Sequence, residues 1–209
     1  MYIVPVFVPH AGCIHECTFC NQRLISGQKQ FNINSVHRQL ISFIERLPAE
    51  KPKQVALYGG SFTAIDMAVQ REILQYIRSV ADQYNIVGLR VSTHPDCINI
   101  ANLELLAKYN VQVVELGVQS LDDNVLALAR RGHSAAVVEP AVRLLQKHGF
   151  EVGVQLMVGM QGQSSATIQD TTQQVLALRP DMVRIYSLMV LKDTELAKRY
   201  LAGEFTHLH

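Results

Sequence analysis

Residues 9–22 read PHAGCIHECTFCNQ. Cys13, Cys17 and Cys20 stand in this stretch in the pattern Cys-x3-Cys-x2-Cys, directly after an apolar, β-branched run at residues 3–8. Such a run predicts a strand, so the cysteines should lie on the loop that follows it. Three thiolates on one loop can bind a soft metal centre. The sequence therefore predicts a metal site at the end of the first strand.

Two kinds of metal centre fit this cysteine pattern. A structural zinc site takes four ligands, usually as two close pairs, so His10 or His15 would have to complete it. An iron–sulfur cubane normally takes four cysteines, and three of them leave one iron with an open coordination position. An open position is what a catalytic metal centre requires. Cys97, the fourth cysteine, stands apart and is expected to be an ordinary reduced thiol.

A short apolar strand, a turn and an amphipathic helix follow one another repeatedly along the chain. We expect six strands, all apolar enough for burial on both faces, at residues 3–8, 54–58, 88–93, 111–116, 152–158 and 182–186. The first helix is expected to follow an N-cap at Asn34 or Ser35. Six units in 209 residues take about 35 residues each, close to the roughly 30 that a βαβ unit needs.

This alternation predicts a parallel α/β fold, for which an open doubly wound sheet and a barrel-like sheet are the two candidates. Glycine and polar residues follow all six predicted strands, as in the stretches 59–61, 92–94 and 117–120. In a barrel, the carboxyl ends of the strands form one catalytic rim. We therefore predict a partial TIM-type barrel of six βα units, with a parallel sheet and the cysteine loop after the first strand.

Composition and charge exclude several other classes of protein. Hydrophobic residues make up 48% of the chain, which is typical of a globular domain and not of a disordered one. The net charge of +1 lacks the basic excess that nucleic-acid-binding proteins usually show. The longest uncharged stretch, between Glu151 and Asp170, is rich in polar residues, and no signal peptide is visible. We expect a cytoplasmic protein with no membrane partner.

Several motifs together resemble the radical S-adenosylmethionine superfamily. The cysteine pattern, with Phe19 before the last cysteine, carries the resemblance to the superfamily as a whole. Further motifs are similar to the group of the Elongator catalytic subunit: PHAGC at 9–13, CTFCNQ at 17–22, YGGSFT at 58–63, STHPD at 92–96, GVQS at 117–120, RGH at 131–133 and RPDMVRIY at 179–186. The GVQ and RGH pieces also resemble the oxygen-independent coproporphyrinogen oxidases. The likeness covers nearly the whole chain.

The resemblance implies two cofactors, a [4Fe–4S] cluster and S-adenosyl-L-methionine. Cys13, Cys17 and Cys20 would be the cluster ligands, and Phe19 would lie near the adenine. The fourth iron would chelate the amino and carboxylate groups of S-adenosylmethionine. Each of these roles is implied by the family motif and not by the spacing alone.

The resemblance also assigns cofactor contacts to residues that follow the later strands. Glycines suit close contact with a ligand because they let the backbone approach it, and a guanidinium group suits a carboxylate. The implied contacts are Gly59, Gly60 and Ser61 with the methionine amino group, Ser92 or His94 with the ribose, Glu115 and Gln119 with the ribose or amino-acid part, Arg131 with the carboxylate, and Gly159 in a turn near the adenine.

The implied function is an enzyme that reductively cleaves S-adenosylmethionine to a 5′-deoxyadenosyl radical for hydrogen abstraction, with tRNA as a candidate substrate. Flavodoxin or ferredoxin would be the electron donor. The alternatives are a non-catalytic cluster- or haem-carrying relative of the coproporphyrinogen oxidases and a zinc-stabilised domain. Gln161 replaces the proline of the family's Gly-x-Pro-Gly turn. Residues 1–209 are predicted to form one core domain, and the sequence leaves open whether a C-terminal extension completes this domain.

Overall fold

The computed structural model describes residues 1–8, 12–13, 15–21 and 32–205. His10, which the zinc alternative invokes, and Gln22 of the cysteine motif lie outside the described residues. Six strands form one sheet: β1 Tyr2–Phe7, β2 Lys53–Tyr58, β3 Ile86–Thr93, β4 Val111–Gln119, β5 Glu151–Val158 and β6 Met182–Ser187. All six predicted strands are confirmed, and their bounds differ from the predicted ones by at most three residues.

Helices follow each strand of the described chain. They are α1 Ile33–Ile44, α2 Met67–Tyr84, α3 Ile100–Lys108, α4 Asp123–Leu128, α5 Val138–Lys147, α6 Ser165–Ala177 and α7 Glu195–Leu201. The short helix α4, which precedes α5 after β4, was not predicted. No helix in the described part of the chain has the length and hydropathy needed to span a membrane.

The cap of α1 differs from the predicted one. Asn32 has an extended backbone, and its side-chain oxygen accepts a hydrogen bond of 2.9 Å from the Asn34 N–H. Asn34 and Ser35 already belong to the helix, so the predicted cap at one of them is wrong. Three good capping residues stand close together here, and their type alone does not select the one with non-helical backbone angles.

The sheet is parallel throughout, with the strands in the order of the sequence from β1 to β6. Arg184 in β6 donates a hydrogen bond of 3.2 Å to the hydroxyl of Tyr58 in β2. Adjacent strands lie about 4.8 Å apart, so a flat sheet would hold β2 and β6 about 19 Å apart. The sheet must therefore curl, which confirms the predicted partial barrel over the open doubly wound sheet.

The two faces of the curled sheet differ in polarity. In β4, Val114, Leu116 and Val118 are fully buried in the core between the sheet and the helices. Glu115 alternates with them along the strand and points to the opposite, inner face. Burial of each outward-facing aliphatic side chain contributes roughly 1.5–3 kcal/mol to folding. The apolar outer face thus holds the barrel together, whereas the inner face is left for polar side chains.

The last strand departs from the prediction that all strands are buried on both faces. The outward-facing Ile185 of β6 is 68% exposed, and Val183 is 39% exposed. Helix α7 does not cover them, because its Leu196 packs instead with Leu188 and Phe205 near the cysteine loop. Apolar composition therefore predicted the strand correctly but not the layer that covers it.

Candidate active site

A cleft of about 410 Å³ lies at the carboxyl ends of the strands, where the cysteine loop meets the inner face of the barrel. Ten of the predicted site residues line it: Cys17, Phe19, Cys20, Gly59, Gly60, Ser61, Ser92, His94, Gln119 and Arg131. Cys13, Glu115 and Gly159 do not line it. The fold therefore brings together side chains and glycines from the first loop and from the ends of β2, β3 and β4.

The cysteine loop is fixed to the barrel on two sides. The Thr18 N–H donates to the Ala129 carbonyl at 3.0 Å, and the Leu196 N–H donates to the Thr18 carbonyl at 2.8 Å. Phe19 packs against two apolar clusters, one that contains Met160 and one that contains Leu188. These contacts hold the loop between α4 and α7, with Cys17 and Cys20 at the wall of the cleft.

The donor chemistry of the loop favours a cluster over a single ion. None of the four cysteines forms a disulfide. Among the described residues, His94, Asp96 and Cys97 form a group whose three candidate ligand atoms all lie within 4.8 Å of one another. Cys13, Cys17 and Cys20 do not form such a group. The three thiols of the loop are spread more widely than the ligands of one zinc ion. In a cubane each thiolate binds a different iron, so the described loop fits that group better.

Cys97 differs from the loop cysteines in its surroundings. Its Sγ donates to Asp96 Oδ1 at 3.2 Å. Burial, and next to it the hydrogen bond and negative charge of Asp96, raise the pKa of Cys97 to about 11, although a hydrogen bond from Ser61 and the charge of Arg131 lower it. The thiol therefore stays protonated near neutral pH and is a poor metal ligand.

Arg131 joins the cysteine loop to the end of β4. Its Nε donates to the Gly117 carbonyl at 3.2 Å, and its Nη1 donates to Cys17 Sγ at 3.4 Å. The guanidinium group lines the cleft next to these partners. A positive charge is thereby placed between the cysteine wall and the strand ends, where it can bind the carboxylate of a ligand.

Buried hydroxyl groups support the glycine turn after β2. Ser61 Oγ lies 2.9 Å from Thr93 Oγ1 and accepts a hydrogen bond of 3.1 Å from the His94 N–H. Both hydroxyl groups are almost completely buried. The ends of β2 and β3 are thus tied together, which leaves Gly59 and Gly60 in place at the wall of the cleft.

Gln119 carries an unsatisfied polar atom at the cleft. Its Oε1 is buried and has no hydrogen-bond partner among the described residues. Its backbone has a φ of +70°, and the pairing of β4 with β5 shifts register between Gly117 and Gln119. A left-handed non-glycine residue at a bulge costs energy, and such strain is typical of ligand sites. A ligand hydroxyl or ammonium group would satisfy this acceptor, which fits a ribose or an amino acid.

Two residues with predicted cofactor contacts do not line the cleft. Glu115 is fully buried on the inner face, where Arg90, Gln155 and Arg184 surround its carboxylate. It therefore neutralises cations inside the barrel instead of facing the cleft. Gly159 lies in a turn that is fixed by Gln163, whose Oε1 accepts from the Gly159 N–H at 2.8 Å. This glutamine shapes the turn in which Gln161 stands for the family's proline.

Three histidines and Asp96 form a chain of contacts beside the cleft, and His94 of this chain also lines the cleft. His15 Nε2 lies 3.5 Å from Asp96 Oδ2, and His94 Nδ1 contacts the other oxygen of the same carboxylate. His133 Nδ1 lies 3.2 Å from His94 Nε2. Burial, together with the charge of Arg131, lowers the pKa of His94 to about 4. Burial and the charges of His94 and Arg131 lower the pKa of His133 to about 3.

These lowered pKa values predict a loss of stability in mild acid. The unfolded chain takes up protons on these imidazoles as the pH falls through about 6.5, whereas the folded chain does so only near pH 4 and below. The contribution of neutral His94 and His133 to the free energy of unfolding is therefore complete above pH 6.5 and decreases towards pH 4. Denaturant unfolding of His133→Asn should show a smaller dependence of the unfolding free energy on pH in this window than the wild type. Identical slopes would contradict the burial of a neutral His133.

Gly132 makes room for the cysteine loop. It has a φ of +83°, and a Cβ at this position would lie 2.2 Å from Cγ of the His15 ring. His15 stands between Cys13 and Cys17 in the sequence. A side chain at position 132 would therefore push directly against the loop that carries the cysteines.

Gly132→Ala is expected to lower the iron content per chain several-fold after anaerobic reconstitution, because the displaced loop misplaces its thiols. Gly149→Ala is the matched control, since Gly149 has a φ of +80° and no atom within 4 Å of an added Cβ. Both variants carry the left-handed backbone cost of about 1–2 kcal/mol, but only one carries the clash. Equal iron content in the two variants would count against the role of Gly132.

Several residues of the cleft were not predicted from the sequence. They are Phe7, Tyr58, Gln155 and Arg184. The twofold alternation of β6 contained the relevant signal, because Met182, Arg184 and Tyr186 lie on one face and Val183 and Ile185 on the other. The charge of Arg184 at an inward position could have marked it as a site residue.

A parallel half barrel, with three cysteines on its first loop and a cleft of glycine, arginine and amide groups at its rim, defines a class of enzymes built around a soft metal centre. The family model described as the radical SAM superfamily matches residues 7–175, so the chain belongs to this superfamily. Radical SAM proteins are enzymes that use a [4Fe–4S] cluster and S-adenosylmethionine.

Known proteins with similar sequences or structures agree with this family membership. The chain is 31% identical over 191 residues to protein YhcC of Escherichia coli, over 90% of this chain and 60% of that protein. It is 34% identical over 247 residues to a tRNA uridine(34) acetyltransferase of Methanocaldococcus infernus, over 97% of this chain and 46% of that protein. The structure of the archaeal Methanocaldococcus infernus Elp3 with an N-terminal deletion matches with a TM-score of 0.77 and 25% identity, over 99% of this chain and 50% of that chain.

The chain thus spans between 46% and 60% of the length of these relatives. The match covers the half barrel and the cysteine loop of this chain. The motifs that resemble the Elongator group lie in the same region.

Proposed function

We propose that this chain forms one radical SAM core domain in which Cys13, Cys17 and Cys20 hold a [4Fe–4S] cluster and the adjoining cleft binds S-adenosylmethionine. The observation that carries the proposal is that Cys17 and Cys20 line a single cleft together with Arg131 and Gln119, whose Oε1 is unsatisfied. The cluster ligands and the polar cofactor contacts thereby come from different parts of the chain but face the same space.

Each lining residue has a task that suits its chemistry. Arg131 would bind the carboxylate of the cofactor, and the backbone at Gly59 and Gly60 would accept hydrogen bonds from its amino group through carbonyl oxygens. Gln119, with Ser92 or His94, would take the ribose hydroxyls. Phe19 would pack near the adenine, since the ring lies at the cleft beside the loop cysteines.

When bound, the cluster supplies one electron that cleaves S-adenosylmethionine to methionine and a 5′-deoxyadenosyl radical, which abstracts hydrogen from substrate. The protein's part is to orient the cofactor and to exclude water from the radical. The aromatic rings of Phe7, Tyr58 and Tyr186 line the cleft and can restrict the access of water to it.

The substrate is proposed to be tRNA or another large nucleotide-containing molecule. The support is the similarity to a tRNA uridine(34) acetyltransferase over almost the whole of this chain. The net charge of +1 indicates that most of the basic surface for RNA would come from outside these residues. Flavodoxin or ferredoxin would supply the electron, in a cytoplasmic setting where thiols stay reduced.

The test is anaerobic reconstitution with iron and sulfide, followed by dithionite and S-adenosylmethionine. We expect a brown protein with about four iron ions per chain, the number that one [4Fe–4S] cluster holds, and formation of 5′-deoxyadenosine. A folded protein that binds zinc and no iron would contradict the proposal. A cluster-loaded protein that forms no 5′-deoxyadenosine with candidate substrates would favour the non-catalytic cluster- or haem-carrying alternative, which no contact in the cleft supports.

A further inference from the structure

One side of the cleft is not used by the proposed cofactor contacts. It lies on β2 and β6 and is formed by Tyr58, Arg184 and Tyr186, with Gln155 of β5 beside them. These residues share the cleft with the cofactor residues but belong to the deeper inner face of the barrel. Any group they bind would therefore sit next to the cofactor and not in its place.

The charges on this inner face do not balance. Glu115 is fully buried, and its Oε1 accepts from Arg90 Nη1 at 2.7 Å and from Arg184 Nη2 at 3.2 Å. Its Oε2 accepts from Gln155 Nε2 at 2.8 Å. One carboxylate thus serves two guanidinium groups, which leaves one positive charge in excess. Arg90 is the better neutralised of the two, since it is closer to Glu115 and its side chain is only 9% exposed.

The excess charge is presented to the cleft by Arg184. Its side chain is 32% exposed, and its remaining hydrogen bonds go to the neutral hydroxyls of Tyr58 at 3.2 Å and Tyr186 at 3.4 Å. A guanidinium group carries five N–H donors in a planar fork, so Arg184 has capacity for a further acceptor. The ring of Tyr58 lies 5.6 Å from Arg184 Cζ and holds the guanidinium group in position.

We propose that Arg184, positioned by Tyr58 and Tyr186, binds an oxyanion of the substrate, a phosphate or a carboxylate group. The inference rests on the proposed function, because it assigns the substrate side of the same cleft. A planar guanidinium fork matches the geometry of both oxyanions, and the excess charge is best neutralised by an anion that enters from the cleft. The two tyrosine hydroxyls can donate to the same anion, which limits its position next to the cofactor.

The test uses the reconstituted wild-type protein under anaerobic conditions with saturating S-adenosylmethionine. Phenylglyoxal, which modifies arginine, is added with inorganic phosphate, with acetate or with chloride at equal ionic strength, and modification is quantified by peptide mass spectrometry. We expect phosphate or acetate to slow modification of Arg184 several-fold relative to chloride. Protection by phosphate assigns a phosphate-bearing substrate, and protection by acetate assigns a carboxylate-bearing one. Arg143 is the internal control, because its exposed side chain does not line the cleft and instead contacts Glu139, Gln146 and the Leu178 carbonyl.

A direct binding measurement completes the test. Arg184→Gln should weaken binding of the protecting anion by about tenfold or more, the effect expected when a hydrogen bond to a charged group is removed. Arg143→Gln should leave it unchanged. Arg184→Gln retains the ion pair between Arg90 and Glu115, so the inner face of this variant keeps one balanced pair of charges.

The inference and the proposed function fail in different ways. If the protein holds its cluster and forms 5′-deoxyadenosine, but neither anion protects Arg184, the oxyanion site is overturned and the function stands. If Arg184→Gln binds the anion as tightly as the wild type, the site is overturned as well. Absence of a cluster would overturn the proposed function, while the protection of Arg184 would still decide whether the anion binds there.

Discussion

Replacing Cys17 by alanine is expected to abolish both the cluster and the cleavage of S-adenosylmethionine. Cys17 lines the cleft, and its Sγ accepts a hydrogen bond from Arg131, so its removal takes away a ligand and a contact between loop and rim. A cubane that has three protein ligands has no spare one, and the hard chemistry belongs to the cofactor. After anaerobic reconstitution, the visible absorbance and 5′-deoxyadenosine formation should both fall to background.

Cys97→Ser provides the matched control for this loss. Cys97 is a cysteine of the same chain, but it is hydrogen-bonded to Asp96 and its raised pKa keeps it protonated. A serine hydroxyl can keep that hydrogen bond, so we expect normal iron content and activity. Retention of a full cluster by Cys17→Ala, or an equal loss in both variants, would contradict the assignment of the loop as the cluster site.

The features that could be predicted from the sequence are those encoded by neighbouring residues. The spacing of Cys13, Cys17 and Cys20 lies within one loop, so it predicted a metal site without knowledge of the fold. The six strands could be predicted because each is a continuous apolar run between polar turns. Their carboxyl ends meet at one rim in a barrel, so the glycine and polar residues after the strands were expected in the same cleft.

The features that could not be predicted depend on how distant strands curve towards each other. The family resemblance assigned Glu115 to the cofactor, and the sequence did not show which cations would surround its carboxylate. Its partners are Arg90 on the neighbouring strand β3 and Arg184 on β6, two strands away, and a single sequence does not show which inward-facing side chains meet across strands. The exposure of Ile185 also depends on contacts between distant parts of the chain. Helix α7 packs near Phe19 of the cysteine loop and therefore does not cover Ile185.

Glu115→Gln is expected to lower the free energy of unfolding by about 3–5 kcal/mol, the range measured when one partner of a buried ion pair is removed. The amide keeps the shape of the side chain but leaves Arg90 and Arg184 inside the barrel with no negative charge. Arg184 is partly exposed and can turn towards water, which places the expected effect at the lower end of the range. Denaturant unfolding of wild type and variant measures it.

Glu139→Gln is the control for loss of a carboxylate that pairs with an arginine. Its partner Arg143 lies at the surface, with side-chain exposures of 51% for Arg143 and 64% for Glu139, so the change should cost less than about 1 kcal/mol. The double variant Glu115→Gln/Arg184→Gln should recover part of the stability, because it removes one of the two uncompensated cations. If Glu115→Gln were as stable as Glu139→Gln, Glu115 would not be the counter-charge of the inner face. In that case the excess positive charge at Arg184 would lose its basis as well.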